Sequence, residues 1–177
     1  MKKKLLVSLF LLIAVISLSG CTKKKESAEE KTIGQVVKID GEEIKLDTDT
    51  NAMEFHYKQN TTNFTNYSYD DYRVVFVKAN DRVLAYMTIS WINDYTLEDG
   101  LKEISTENLT TTDKTINGIK YKYYEKENVE AEGMTNASGH SYLYELNGKL
   151  YQIAFVSDKD IKDFEKAIME DAYFKEK

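Results

Sequence analysis

The chain has 177 residues and a formal net charge of −6, with 42% hydrophobic and 31% charged residues. This length and composition predict one globular domain with a buried core. The acidic balance excludes a charge-driven nucleic-acid-binding protein, because phosphates would be repelled. The single cysteine excludes a disulfide within the chain.

Residues 1–20 have the pattern of an export signal. Lysines at positions 2–4 precede an apolar run from Leu5 to Ile16, which is too short to span a bilayer of about 30 Å. The following Leu18-Ser19-Gly20-Cys21 resembles the lipobox of bacterial lipoproteins, in which the cysteine receives a diacylglyceryl group and the chain is cut before it. The alternative is an ordinary cleaved signal peptide that happens to end near a cysteine.

The lipobox resemblance implies a lipid anchor on Cys21, on the extracytoplasmic face of the cell membrane, and no cofactor besides that covalent lipid. Removing the three lysines of the signal peptide changes the net charge from −6 to −9. Residues 21–31 are polar and free of aromatic residues, which predicts a flexible tether. Lys23–Lys25 would contact an anionic membrane surface or would simply belong to a solvated spacer. A single folded domain is predicted at residues 32–177.

Three turn dipeptides predict β-hairpins in this domain. Asp40-Gly41 separates Val36–Ile39 from Ile44–Leu46, and Asn117-Gly118 and Asn147-Gly148 separate later β-like runs. Asp-Gly and Asn-Gly favour two-residue hairpin turns because both positions tolerate a positive φ. The strands around the second and third turns are predicted at residues 114–116, 119–124, 141–146 and 149–156.

The strongest single strand signal is Arg82–Ile92, which alternates with period two and predicts a central antiparallel strand. A second run, Tyr72–Lys78, precedes it and is expected to pair with it. The residues expected on the fully apolar face of the longer strand are Val83, Ala85, Met87, Ile89 and Trp91.

Two helices are predicted between the strands. Thr96 and Asp99 have the spacing of a capping box, and apolar residues recur at helical spacing after them. A second helix is predicted from Ser157-Asp158 to about Asp171, with one apolar stripe. The stripes are Leu97, Leu101, Ile104 and Leu109 in the first helix, and Ile161, Phe164, Ile168 and Ala172 in the second. Each helix is expected to lie on a sheet face, which predicts an α+β fold.

The order of elements after Met53 resembles the PsbP-like (Mog/PsbP) family, found in an extrinsic photosystem subunit and in many bacterial lipoproteins. The resemblance rests on the helix at Leu97–Asn108, the strand Lys149–Phe155 after its Asn-Gly turn, and a C-terminal helix ending near Ala172–Phe174. It implies an antiparallel sheet with helices on both faces, an α/β/α sandwich, and a non-catalytic binding or assembly role with no transferable set of site residues. Residues 60–66 and the hairpin at residues 32–47 depart from that family.

Metal and catalytic motifs are weak. Asp47–Asn51 begins like an EF-hand loop, but Ala52 and Lys58 replace the required Gly and Glu. His56 is predicted on a strand surface and His140 at the end of a flexible loop, so no metal site is expected. No nucleophile elbow is present. The acids Asp70-Asp71, Glu125, Glu127, Glu130 and Glu132 are predicted to be solvated.

Tyrosine is abundant, with 13 residues. Phe64, Tyr67, Tyr69 and Tyr72 lie in the otherwise polar segment Gln59–Asp71, a mixture typical of recognition loops, and are the tentative ligand-binding residues. Alternatively, these rings plug into the core. Six other tyrosines are predicted to form cross-strand pairs: Tyr121, Tyr123, Tyr124, Tyr142, Tyr144 and Tyr151. The loop Glu125–Gly139 is predicted to be a mobile second contact surface.

Two functional classes follow. The first is a membrane-anchored, monomeric, non-catalytic binding or assembly module for an envelope protein, peptide or glycan. The second is a metal-dependent or hydrolytic enzyme whose site the sequence does not reveal. Convergence of His56, His140 and a carboxylate in one pocket would favour the enzyme.

Overall fold

A computed structural model describes residues 42–47, 53–59, 64–68, 72–79, 82–131 and 133–176. The predicted signal peptide, Cys21, the tether and the Asp40-Gly41 turn lie outside these residues. So do most of the EF-hand-like segment, Tyr69 and the Asp70-Asp71 pair. Within the described ranges, no helix has the length and apolar character needed to cross a membrane.

The described residues form two antiparallel sheets and two helices. The smaller sheet has the order β1-β2-β10 and the larger has the order β3-β4-β5-β9-β8-β7-β6. The elements are β1 (Glu42–Asp47), β2 (Met53–Gln59), β3 (Phe64–Ser68), β4 (Tyr72–Ala79), β5 (Arg82–Asn93), α1 (Leu97–Thr106), β6 (Thr112–Ile116), β7 (Ile119–Val129), β8 (Ala137–Leu146), β9 (Lys149–Ser157), α2 (Lys162–Asp171) and β10 (Tyr173–Glu176). The fold is therefore mostly antiparallel β with two helices, a coarser description than the sandwich the sequence predicts.

Two of the three hairpins predicted from turn dipeptides are present. Asn117-Gly118 joins β6 to β7 and Asn147-Gly148 joins β8 to β9. All four residues have a positive φ, between 52° and 79°, which is the conformation that favours Asn-Gly in such turns. The first predicted hairpin lies partly outside the described residues; its second strand, β1, pairs with β2.

The central strand β5 follows the predicted alternation except at one end. Ala85, Met87 and Ile89 are fully buried on one face of the larger sheet. Between β4 and β5 the register shifts, so that Val83 pairs with Lys78 and Leu84 is the extra residue. Val83 therefore packs on the face opposite to the predicted one, because a bulge reverses the side-chain alternation.

The two helices pack on opposite faces of the larger sheet. Val75 and Phe155 face the core cluster that contains Phe164 of α2. Phe76, one residue along β4, faces the cluster that contains Ile104 of α1. Because neighbouring strand residues point to opposite faces, α1 and α2 lie on either side of the sheet. The smaller sheet shares the α2 side of the core through aromatic residues of β2.

The start of α1 is as predicted, and the start of α2 is not. Thr96 and Asp99 form a complete capping box. The prediction that α2 opens at Ser157-Asp158 is wrong, because Ser157 is the last residue of β9 and α2 begins at Lys162. The hydroxyl of Ser157 donates to the carbonyl oxygen of Leu84, 2.6 Å away, and so belongs to the sheet.

The C-terminal residues form a strand that the sequence pattern does not predict. After α2 the chain enters β10, which pairs antiparallel with β2. The ring centroid of Phe174 in β10 lies 5.2 Å from that of Phe55 and 5.0 Å from that of Tyr151. The end of the chain therefore connects the smaller sheet to the larger one.

Candidate functional site

The four tentative ligand-binding aromatic residues do not form one exposed surface. The predicted loop contains strand β3. Phe64 of this strand is 6% exposed, and its ring centroid lies 6.2 Å from that of Phe164. Tyr67 is 38% exposed and lies edge-on to Phe76, on the opposite face of the sheet. Tyr72 is half-buried on the same side as Tyr67. Phe64 is thus a core residue, and Tyr67 is the accessible ring of the three that the structure describes.

His56 is buried in the smaller sheet, so its predicted position on a strand surface is wrong. Its Nδ1 lies 2.9 Å from Oε1 of Glu43, and its Nε2 lies 3.0 Å from Oε2 of Glu54. Its ring stacks on Tyr173 with centroids 4.5 Å apart. Each ring nitrogen of His56 therefore faces a carboxylate oxygen. The bond from His56 holds the pKa of Glu43 below its ordinary value.

His140 is also buried, in strand β8 rather than at the end of a loop. Its Nδ1 is hydrogen-bonded to Oε2 of Glu165, and the hydroxyl of Tyr142 donates to Oε1 of the same carboxylate. Glu165 lies on α2 and is only 4% exposed. Burial and the bond to Glu165 raise the pKa of Tyr142, so this phenol stays protonated and remains a donor.

Lys114 of β6 completes the surroundings of Glu165. Its Nζ lies 3.6 Å from Oε1 of Glu165 and 3.3 Å from the hydroxyl of Tyr142. The same ammonium lies 3.1 Å from the ring centroid of Tyr123 and 5.1 Å from that of Tyr142. A buried carboxylate requires such compensation, and the two rings add cation–π attraction. We refer to Tyr123, Tyr142 and Glu165, which surround this ammonium, as the ammonium cage.

Sequence reasoning missed Glu165, although a signal was present. Glu165 follows Ile161 by four residues and precedes Ile168 by three, so it lies on the buried stripe of the helix. A lone acid on an apolar stripe is a sign of a paired buried charge. The glutamates predicted to be solvated behave differently, since the described members Glu125, Glu127 and Glu130 are exposed.

The ammonium cage opens into a groove of about 550 Å³ between α2 and strands β6 to β8. Its charged lining side chains are three lysines and three glutamates, so the groove has no net charge. These are Lys114, Lys162, Lys166, Glu125, Glu165 and Glu170. A volume of this size, aromatic walls and a few convergent polar groups are typical of ligand-binding sites.

Asn117 holds one end of this groove. Its side-chain amide donates to the carbonyl oxygens of Glu170 and Ala172, at 2.8 and 3.2 Å. These carbonyls lie at the C-terminal end of α2, where backbone acceptors lack helical partners. The turn of the β6–β7 hairpin is therefore fastened to the helix that forms the opposite wall.

A second, smaller groove of about 260 Å³ lies beside the first. It is lined by Ser138 and His140, which share one side of β8, and by the connection from Ser157 to Lys162. Within the described ranges, Nε2 of His140 has no hydrogen-bond partner. The predicted mobile loop Glu125–Gly139, which borders this groove, consists largely of the ends of β7 and β8.

Metal binding finds no support among the residues that the structure describes. No group of three or more His, Cys, Asp or Glu side chains is arranged there to hold an ion. His56 and His140 belong to different sheets and pair with different glutamates. The convergence that would favour a metal-dependent enzyme therefore does not occur between them.

Comparison with known proteins gives a fold neighbour only. No protein-family model matches the chain, and no curated protein matches its sequence. A crystal structure of a protein from Bacteroides thetaiotaomicron VPI-5482 is similar, with a TM-score of 0.50 and 13% identity. The match covers 68% of this chain and 45% of that protein, so this chain corresponds to less than half of its length. At this identity the likeness concerns the fold alone.

Proposed function

We propose that this chain is a bacterial lipoprotein, anchored through Cys21, whose folded domain is a non-catalytic binding or assembly module for an envelope protein, peptide or glycan. The Leu18-Ser19-Gly20-Cys21 motif and the polar tether support the anchor. The observation that carries the binding role is the groove of about 550 Å³ beside the ammonium cage. The module is proposed to act as a monomer.

The PsbP-like relationship is part of this proposal. Helices on opposite faces of an antiparallel sheet support it, as does the hairpin strand Lys149–Ser157 before the last helix. Strand β1, in the hairpin at residues 32–47, and the C-terminal strand β10 are additional to that pattern.

The anchor is tested by metabolic labelling with radioactive palmitate. We expect the wild-type chain to incorporate label and to pellet with membranes, and Cys21→Ala to do neither. Ser19→Ala keeps a small residue near the cleavage point and is the matched control, which should still be labelled. Membrane pelleting of Cys21→Ala would contradict the proposed location.

The binding surface is tested by crosslinking the protein to envelope components and comparing two charge reversals. Lys166→Glu changes the rim of the groove, where this side chain is exposed. Lys102→Glu makes the same change on α1, on the other face of the sheet. We expect capture to fall with Lys166→Glu and to persist with Lys102→Glu. A third variant, Tyr67→Ala, tests the accessible ring of the aromatic segment, and loss of capture there would place the surface on β3 instead.

One observation favours a second function, a hydrolytic activity. Glu165 fixes Nδ1 of His140 while Nε2 remains available on the groove that Ser138 also lines. A carboxylate, an imidazole and a hydroxyl in this order can activate a nucleophile. Labelling by a fluorophosphonate probe that is lost in Ser138→Ala and in His140→Gln would support it. No labelling of the wild type would leave His140 and Glu165 as a structural pair.

A further inference from the structure

The ammonium cage is built around a cation that the chain itself supplies. Its carboxylate, on Glu165, is buried, its phenol donor, on Tyr142, is buried, and the ring of Tyr123 lies against the ammonium of Lys114. The lysine side chain is 36% exposed, so it reaches the cage from the mouth of the groove. The contacts therefore surround a primary ammonium on an aliphatic stem.

The position of Lys114 allows this ammonium to leave. It lies on β6, the last strand of the larger sheet, and a lysine at a sheet edge can turn toward solvent without breaking the strand pairing. Glu165 would keep His140 and Tyr142 as partners in its absence. The groove continues past the lysine toward Lys166 and Glu170, so space for a ligand adjoins the occupied cage.

We propose that the ammonium cage is a binding site for a lysine-like side chain of a peptide, and that Lys114 occupies it as an internal competitor when no peptide is bound. This inference deepens the proposed function and rests on it. A peptide fits because the groove offers both lysines and glutamates beyond the cage, which suit the mixed charges of a peptide chain. The incoming ammonium takes the place of Nζ of Lys114 between the rings and Glu165.

Internal competition predicts a gain of affinity when the competitor is removed. If Lys114 fills the cage most of the time, apparent affinity is reduced by the fraction of molecules in which the cage is open. We therefore expect Lys114→Thr to bind Nα-acetyl-lysine amide about tenfold more tightly than the wild-type chain. Lys114→Arg keeps a cation in place and should bind as weakly as the wild type.

The experiment is an NMR titration of the full chain in detergent micelles. Nα-acetyl-norleucine amide is the matched probe, because it has the same four-carbon stem without the ammonium, and it should bind to none of the variants. Lys120→Thr makes the same substitution on β7 of the same hairpin, at an exposed position, and should leave affinity unchanged. Tyr123→Leu added to Lys114→Thr should abolish the gain.

Equal binding of the probe to wild type and to a folded Lys114→Thr would overturn the inference, as would equal binding of the two probes. If that variant does not fold, the wild type decides, because the probe must shift the Lys114 side-chain resonances toward those of a solvated lysine. An amino sugar that binds where the lysine probe does not would also overturn it. The proposed function fails separately, through unchanged capture by Lys166→Glu.

Discussion

The two histidines show that a hydrogen bond between histidine and glutamate matters differently for stability in two regions of the molecule. His56 and His140 are both buried, and both are hydrogen-bonded to glutamates. The side chain of Glu43, a partner of His56, is 48% exposed, whereas that of Glu165, the partner of His140, is 5% exposed. If its hydrogen bond breaks, Glu43 is rehydrated in place, and Glu165 is not. The burial of the carboxylate, not that of the histidine, therefore decides which pair the fold depends on.

The two sites also differ in what they leave available. Both ring nitrogens of His56 are occupied by carboxylates and one ring face by Tyr173, so this histidine connects the three strands of the smaller sheet. His140 uses one nitrogen on Glu165 and lines the smaller groove, while Glu165 itself lines the larger one. The closed arrangement is structural, and the open arrangement is the one able to serve binding or chemistry.

The largest loss of unfolding free energy is expected from His140→Ala. Glu165 would remain buried with one hydrogen-bond partner fewer, and removing a partner of a buried carboxylate costs about 3 kcal/mol of unfolding free energy. Urea denaturation of the purified protein measures it. In the double variant His140→Leu with Glu165→Leu no charge is left buried, so most of the loss should be recovered. A loss below about 1 kcal/mol in the single variant would show that water reaches Glu165.

A smaller effect is expected from His56→Ala, because Glu43 lies in contact with solvent. The fall in Tm should be roughly 3 °C. The loss should be local, since Tyr173 of β10 loses its stacking partner. Hydrogen exchange should show faster exchange of the β10 amides and unchanged exchange in β8. His56→Phe retains the ring and should protect β10 better than His56→Ala; equal exchange would contradict the stacking argument.

The stability that the His56 region contributes depends on pH through the carboxyl group of Glu43. The bond from His56 holds the pKa of Glu43 below its ordinary value of 4.5. A carboxyl with a lowered pKa in the folded state stabilises the fold above its unfolded pKa, and this contribution is lost as the pH falls through the folded value. In His56→Ala, NMR titration should show the Glu43 pKa near 4.5, and Tm should depend less on pH below that value. An unchanged Glu43 titration would assign the shift to another neighbour.

The sequence predicted local structure well where backbone chemistry is local. The Asn-Gly turns, the capping box at Thr96 and the alternation of β5 each depend on a few neighbouring residues, and all are present except where the bulge at Leu84 interrupts β5. Cross-strand tyrosine pairing was predictable from the hairpins in part, whereas the prediction for Tyr124 is wrong because this residue lies opposite Ser141. Tyr123 lies opposite Tyr142, and Tyr144 lies opposite Tyr151.

The candidate site was not predictable, because it depends on contacts between distant segments. Glu165 meets His140 across 25 residues and Lys114 across 51 residues of chain, and no local pattern encodes that meeting. The predicted start of α2 was wrong because Ser157 has the side chain of a typical helix cap, whereas its hydroxyl donates a hydrogen bond to a carbonyl oxygen of the sheet. Strand β10 was missed because its partner β2 is more than a hundred residues away.

The smallest loss of unfolding free energy is expected from Tyr123→Phe. This variant adds an exposed carboxylate, Glu125, to the comparison of Glu165 with Glu43. The Tyr123 hydroxyl donates to Glu125 at 2.6 Å, and this bond holds the pKa of Glu125 below 4.5. The variant keeps the ring against Lys114, so the ammonium cage is retained. Since Glu125 is exposed and solvent screens its interactions, unfolding free energy should fall by less than about 0.5 kcal/mol. NMR titration should nevertheless show the Glu125 pKa rising toward 4.5. A loss as large as that of His140→Ala would mean that burial of the carboxylate does not rank these three sites.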